Sequence, residues 1–94
     1  MQIFDSNGKF LAQWTHAGSP WGLDLTPDGR LFLADGYANR VLLLNLEGQV
    51  LGSIGGPGKM PGQFAFAHAL AAGPNGELYT AEILNWRAQK FVKQ

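Results

Sequence analysis

The chain repeats itself, and this internal repeat limits the possible folds more than any other feature of the sequence. The segment Met1–Leu11 overlays Val41–Leu51 at an offset of 40 residues. The segment Pro27–Asp35 overlays Pro74–Glu82 at an offset of 47 residues. The seven extra residues of the second offset lie in the glycine-rich connection Gly55–Gln63. Self-similarity at about 40–50 residues is typical of propellers and arrays, in which each unit packs on its neighbours.

The composition favours short strands joined by tight turns. Thirteen of the 94 residues are Gly and five are Pro. The segments Pro27–Gly29 and Pro74–Gly76 interrupt apolar runs, and Pro, Asn, Asp and Gly are the residues that turns prefer. The sequence therefore predicts an all-β fold.

The segment 20–54 reads as one complete unit of four strands. Segment 1–14 matches its last two strands, and segment 64–93 matches its first three, so nine strands make about two units with one strand in surplus. Either Met1–Asp5 or Arg87–Val92 is displaced, or the chain is a fragment of a longer propeller. The four strands predicted for the complete unit are Gly22–Leu25, Leu31–Ala34, Val41–Leu44 and Val50–Ile54.

Incomplete units at both ends of the chain predict self-association. A domain of this length buries only about 60–65% of its unfolded surface, and open sheet edges are available for pairing with another chain. Propellers usually close with about 4–8 blades. We expect two four-stranded blades per chain and a homotrimer that closes a six-bladed β-propeller.

Charge and cysteine content narrow the range of partners. Seven basic and seven acidic residues cancel and no run of like charge occurs, whereas nucleic-acid binding usually needs a basic face. No apolar run approaches the length of a membrane span. We therefore predict neither a nucleic-acid nor a membrane partner. The chain has no Cys, hence no disulfide, and its compartment is unknown from the sequence.

One long segment resembles the NHL repeat, and with its partial copies the resemblance covers nearly the whole chain. The segments Leu33–Val41, Gly8–Trp14 and Pro61–Ala71 are in turn similar to stretches of the lyase domain of peptidylglycine amidating enzymes. This resemblance implies a β-propeller, commonly six-bladed. The run that resembles the NHL repeat is Pro20-x-Gly-Leu-x-Leu-x-Pro-Asp-Gly-Arg-Leu-Phe-Leu-Ala-Asp-x-x-x-Asn-Arg-Val41.

The resemblance also implies a zinc site. The similar lyases hold zinc through three His residues from alternate blades, with a Tyr and an Arg nearby, and cleave α-hydroxyglycine peptides to an amide and glyoxylate. His68 matches a zinc-ligand position and Tyr37 matches the catalytic Tyr. With one such His per chain, a trimer would place three His68 side chains and Zn on its axis. The alternatives are a channel His bonded to water or backbone, and a Tyr37 that only packs in its loop.

Several other side chains have structural or ligand-binding interpretations. Trp21 occupies the position of His68 in the other blade, where it would narrow the channel or stack on a ligand. Arg40 and Arg87 recur with the repeat, which favours a structural role such as pairing with Asp35 and Glu82 or with a backbone carbonyl. The residues that we expect in the core between blades are Trp14, Phe32, Leu43 and Phe91.

Two functions of different classes remain open. The first is a binding or scaffold module whose ring face holds a peptide or small-molecule ligand. The second is a zinc-dependent lyase-like site on the three-fold axis that uses His68 and Tyr37. The first is favoured because Ile83 and Leu84 follow Glu82 where the similar lyases have an Arg.

Overall fold

A computed structural model describes residues 1–92 of the chain. Within this range the protein has nine β-strands, no helix, and three antiparallel sheets. The prediction of an all-β fold is confirmed. The predicted segment 64–93 ends at a residue outside the described range. No helix of the described residues has the length and apolar character needed to cross a membrane.

The nine strands follow one another in three meanders. The first two form a hairpin, the next four form the central sheet, and the last three form the C-terminal sheet. Within each sheet, every strand pairs with the next along the chain, so no sheet contains a crossover. The strands are β1 Gln2–Phe4, β2 Phe10–Gln13, β3 Pro20–Leu25, β4 Leu31–Asp35, β5 Arg40–Leu44, β6 Val50–Ile54, β7 Ala67–Ala72, β8 Leu78–Glu82 and β9 Arg87–Phe91.

The repeat is visible in the turns between strands. Gly8 and Gly48 have φ angles of 83° and 84°, and Gly29 and Gly76 have φ angles of 85° and 84°. Positive φ is accessible to Gly because it lacks a Cβ, so each turn can close without steric strain. Turns that are equivalent in the repeat therefore share one backbone conformation.

The central sheet has a hydrophobic core on each of its two faces. On one face Phe32, Ala34 and Val41 pack against Ala67 and Leu78 of the C-terminal sheet. Leu43 and Phe91 are partly buried at the edge of this cluster, as predicted, and Phe64 of the connecting loop is fully buried in it.

The opposite face of the central sheet carries Leu33, Leu42 and Leu44. These side chains form a second cluster with Ala17, and Met1 of the N-terminal segment packs against it. The apolar runs of β4 and β5 are explained by this arrangement, because a strand covered on both faces needs apolar residues at successive positions.

The three sheets lie side by side in an elongated molecule. Its principal extents are 41 × 27 × 20 Å, and its Cα radius of gyration is 13.3 Å, compared with about 12.4 Å expected for a compact chain of this length. The C-terminal sheet packs one face on the central sheet and leaves the other open, whereas the segment of the hairpin reaches the core of the central sheet through Met1.

Candidate functional site

The predicted site residues Trp21 and His68 occupy equivalent irregularities in two strands. In β3, Pro20 pairs with Asp35 and Gly22 with Ala34, so Trp21 is an extra residue that faces no partner. In β7, the pairs Ala67–Glu82 and Ala69–Ala81 leave His68 as the extra residue. Such a bulge re-aims the side chain it carries, which is why bulges are common beside binding sites.

Trp21, Tyr37 and His68 come together in an aromatic cluster, which Phe66 completes. The ring centroid of Trp21 lies 4.8 Å from that of Tyr37, 5.3 Å from Phe66 and 5.8 Å from His68. Tyr37 and Phe66 are 6.0 Å apart. The ring planes meet at 57–82°. Edge-to-face pairs of this kind contribute about 0.5–1.5 kcal/mol each beyond the area they bury.

The aromatic cluster is open to solvent on one side. Tyr37 is 69% exposed, His68 is also exposed, and Trp21 is half-buried beneath them. The surface thus offers ring edges and faces together with a phenol hydroxyl and an imidazole. Aromatic side chains with a polar tip suit a ligand that has one apolar and one polar side.

Gly36 allows Trp21 to lie flat over the loop that follows β4. A Cβ at this position would overlap the indole ring, and the Gly36 N–H donates to the Ser19 carbonyl oxygen at 3.1 Å. The sequence reading missed Gly36, since the equivalent residue of the repeat is Ile83 and no turn motif singles it out.

Phe66 is held in the cluster by a contact between loops of different sheets. Its N–H donates to Asn39 Oδ1 at 2.8 Å, and its carbonyl oxygen accepts from the Ile83 N–H at 3.1 Å. Phe66 and Asn39 both have positive φ, at 58° and 57°. Phe66 was also missed from the sequence, because the repeat places Ser19 at the equivalent position.

An acid–arginine pair lies beside the cluster in the central sheet. Arg40 Nε donates to Asp35 Oδ2 at 2.9 Å, and the Ser19 N–H donates to Asp35 Oδ1 at 2.9 Å. Asp35 is buried, so this pair fixes the end of β4. The predicted pairing of Arg40 with Asp35 is confirmed.

The equivalent pair in the C-terminal sheet is confirmed as well. Arg87 Nε donates to Glu82 Oε2 at 2.6 Å. Burial acts to raise the pKa of Glu82, but hydrogen bonds from Arg87, Asn85, Ala65 and Gln89 act against it, so the pKa lies below its usual value. Glu82 is therefore a charged anchor and not a proton donor at neutral pH.

The two histidines of the chain have different surroundings. His68 lies in the aromatic cluster, whereas His16 approaches the Gly48 carbonyl oxygen at 2.6 Å through Nε2. Across residues 1–92 no group of three or more His, Cys, Asp or Glu side chains is placed to hold a metal ion. A zinc site needs about four ligands, so His68 of one chain would need ligands from further copies.

No protein-family model matches this sequence. The resemblance to NHL repeats and to the amidating lyases stays a prediction that rests on the residues quoted above.

Proposed function

We propose that the chain is a subunit of an oligomeric NHL-type β-propeller that acts as a binding or scaffold module. The observation that carries this proposal is the aromatic cluster, in which Trp21, Tyr37 and His68 meet on one exposed surface. Aromatic side chains grouped with a few polar groups are typical of sites that bind small molecules. The ligand class is a peptide or small molecule with an apolar or planar group.

Assembly is supported by the strand count of each sheet. The central sheet has four strands, the hairpin two and the C-terminal sheet three, so only the central sheet has the full count of a propeller blade. If the C-terminal sheet of one copy and the hairpin of another form one shared blade, the ring contains two blades for each chain. Three chains then close a six-bladed ring, with either β1 or β9 in surplus.

The ring is tested by the mass of the protein in solution. Light scattering on the purified full chain should give a mass near three chains. A mass of one chain at all accessible concentrations would overturn the ring.

Ligand binding is tested with the cluster residues. A panel of short peptides with apolar, aromatic and charged side chains is titrated into the protein by calorimetry. A peptide that binds should lose at least about tenfold in affinity with Trp21→Ala, since truncation of a central contact Trp costs about 2 kcal/mol or more. Trp86→Ala is the matched control, because Trp86 is 92% exposed and lies outside the cluster. An equal loss in both variants would contradict the assignment.

A zinc-dependent lyase-like activity is the second candidate. It is supported by the contact of both His68 and Tyr37 with Trp21, which places the two residues implied by the resemblance on one surface. In a three-fold ring, His68 from each chain would supply three imidazole ligands. Zinc held in this way would act as a Lewis acid on a substrate oxygen, and Tyr37 would transfer a proton.

Metal content distinguishes the two candidates. Elemental analysis after purification without chelators should give one zinc per three chains if the second candidate is correct, and none in His68→Ala. His16→Ala is the matched control and should keep the metal. A ring that contains no zinc after incubation with zinc salts, and that releases no glyoxylate from a peptidyl α-hydroxyglycine, leaves the binding module alone.

A further inference from the structure

The interface between the central and C-terminal sheets is an internal example of how two units of the repeat pack. The C-terminal sheet places Leu70, Ala72 and Leu78 against the central sheet. In the central sheet, Gly22 lets the backbone of β7 come close, and the small Ala34 and the bulky Phe32 contribute to the shared core.

Adding the repeat offset of 47 to the central-sheet residues of this interface gives the equivalent residues of the C-terminal sheet. The resulting residues lie on the outer face of the C-terminal sheet, are all exposed, and line a shallow apolar depression. Small and bulky residues stay in the same order: Ala69 replaces Gly22, Tyr79 replaces Phe32, and Ala81 repeats Ala34. We name this surface the alanine face; its members are Ala69, Ala71, Tyr79 and Ala81.

Subtracting 47 from the C-terminal-sheet residues of the interface gives a second set of equivalent residues, which form another open surface. Leu70, Ala72 and Leu78 correspond to Leu23, Leu25 and Leu31 of the central sheet. Leu23 is 49% exposed and Leu25 is 57% exposed, because the hairpin covers only the outer part of this side of the sheet. We name this surface the leucine face; its members are Leu23, Leu25 and Leu31.

We propose that the alanine face of one copy packs on the leucine face of a second copy and repeats the internal interface between chains. The occupant of each face is thus another copy of the same chain. The two faces differ, so the contact is head-to-tail and generates a ring if the rotation closes. This inference rests on the proposed ring and specifies which surfaces form it.

The internal contacts predict which residues meet between the chains. The Ala72 N–H donates to Asp24 Oδ2 at 2.7 Å. Shifted by one unit, this contact places Ala71 of one copy opposite Leu25 of the next.

A second internal contact gives a second pair. A Cβ at Gly22 would lie 3.0 Å from the His68 carbonyl oxygen and 3.1 Å from Ala69 Cα. Shifted by one unit, it places Ala69 of one copy opposite Trp21 and Gly22 of the next.

Two substitutions within the repeat make the contact between chains weaker than the internal one. Ala71 stands where Asp24 accepts a hydrogen bond, so that bond is lost. Ala69 stands where Gly22 allows close approach, so its Cβ separates the two backbones by a few tenths of an ångström. The ring should therefore dissociate on dilution while each chain stays folded.

The strands that form the contact are β7 and β8, not β9. In the repeat, β9 corresponds to β5, and so does β1. In the second copy, β1 of the hairpin already occupies the place beside the leucine face that β9 of the first copy would take. Ring closure therefore displaces either β1 or β9 from its position in the single chain. The alanine face is defined without β9 and is available in either case.

The pair Ala71–Leu25 is tested by a charge cycle in the full-length chain. Ala71→Lys alone should place an ammonium group where the internal interface has the acceptor Asp24, and Leu25→Glu alone should place a carboxylate against Ala71. We expect each single variant to raise the concentration at which the ring dissociates by at least tenfold in analytical ultracentrifugation. The double variant should recover most of this loss, because the two new charges face one another across the interface.

The control is Ala38→Lys, which adds the same charge as Ala71→Lys to an exposed loop alanine outside both faces. It should keep the mass of the wild-type protein. Circular dichroism of all variants should retain the β-sheet spectrum, since Ala71 and Leu25 are exposed in the single chain. If Leu25→Glu unfolds, Ala71→Lys and Ala69→Lys still test the alanine face.

The outcomes separate this inference from the proposal on which it rests. A wild-type mass of one chain at all accessible concentrations would overturn both the ring and the interface. A wild-type ring that Ala71→Lys and Leu25→Glu leave intact would overturn the interface and leave the ring standing. Dissociation by both single variants, without recovery in the double variant, would overturn the pairing of Ala71 with Leu25.

Discussion

The central and C-terminal sheets are copies of one unit, yet they use the same acid–arginine pair differently. In the central sheet Asp35 binds Arg40 and the Ser19 N–H. In the C-terminal sheet Glu82 binds Arg87, and its carboxylate also accepts from the Ala65 N–H and from two amide side chains. These amides belong to Asn85 and Gln89.

Arg87 extends this network into the connection that the repeat does not share. Its guanidinium donates to the carbonyl oxygens of Lys59 at 2.7 Å, Met60 at 3.1 Å and Gln63 at 2.6 Å. The additional methylene of Glu82 allows the acid to reach more donors than Asp35 does. The ion pair of the C-terminal sheet thus has a second role that its equivalent lacks, because it also holds the longer connection Gly55–Gln63 against the sheet.

The largest expected effect is the loss of Arg87. Arg87→Leu would leave the buried side chain of Glu82 without its cation and remove three hydrogen bonds to loop carbonyls, so we expect a loss of about 3–5 kcal/mol in the free energy of unfolding. Arg40→Leu should cost about 1–3 kcal/mol, because Arg40 is more exposed and binds Asp35 alone. Urea unfolding at one fixed protein concentration measures both. Equal losses would contradict the comparison.

The next effect concerns the loop residue after the acid in each sheet. Gly36→Ala would force the Trp21 ring from its place, and overpacking of this kind costs about 1–3 kcal/mol. Ile83→Ala, at the equivalent position, should change the free energy of unfolding by less, since Ile83 is half-exposed. Tryptophan fluorescence should shift only in Gly36→Ala. A larger loss of stability in Ile83→Ala would show that the two loops are not specialised as described.

A smaller effect, an increase in the free energy of unfolding, is expected from a substitution between the central and C-terminal sheets. Thr80 is buried and its hydroxyl has no hydrogen-bond partner among the described residues. The central sheet has Leu33 at the equivalent position. Thr80→Val should raise the free energy of unfolding by about 1 kcal/mol, because it removes an unsatisfied polar group. Thermal unfolding would reveal this as a higher Tm, and Thr15→Val on an exposed loop is the matched control. A lower Tm would indicate that Thr80 has a partner after all.

The smallest expected effect is that of acid on Glu82, because burial opposes the hydrogen bonds that lower its pKa. The folded pKa lies below the usual value of 4.5, so this carboxylate contributes stability above about pH 4.5. That contribution decreases as the pH falls through the lowered pKa. Glu82→Gln should remove this part of the pH dependence in urea unfolding between pH 5 and the acid limit, whereas Glu47→Gln on an exposed turn should keep it. A pH dependence that is unchanged in Glu82→Gln would exclude Glu82 as its source.

Much of the fold could be predicted because its determinants are local. Gly29 and Gly76 close equivalent turns, and the apolar runs of β4 and β5 indicate strands covered on both faces. The pairing of Arg40 with Asp35 also followed from recurrence, since the partners are five positions apart across one loop. By contrast, the contact of Phe66 with Trp21 joins the loop before β7 to a strand of the central sheet, and no spacing in the sequence indicates it.

The sequence by itself determined the strands, the turns and the repeated ion pairs, because each depends on residues close together in the chain. Only the tertiary structure decided that Trp21, Tyr37, Phe66 and His68 form one surface. It alone also showed which side of each sheet is open. Both depend on how the sheets pack, and packing brings together residues 27 or more positions apart through shape and burial, which no short motif encodes.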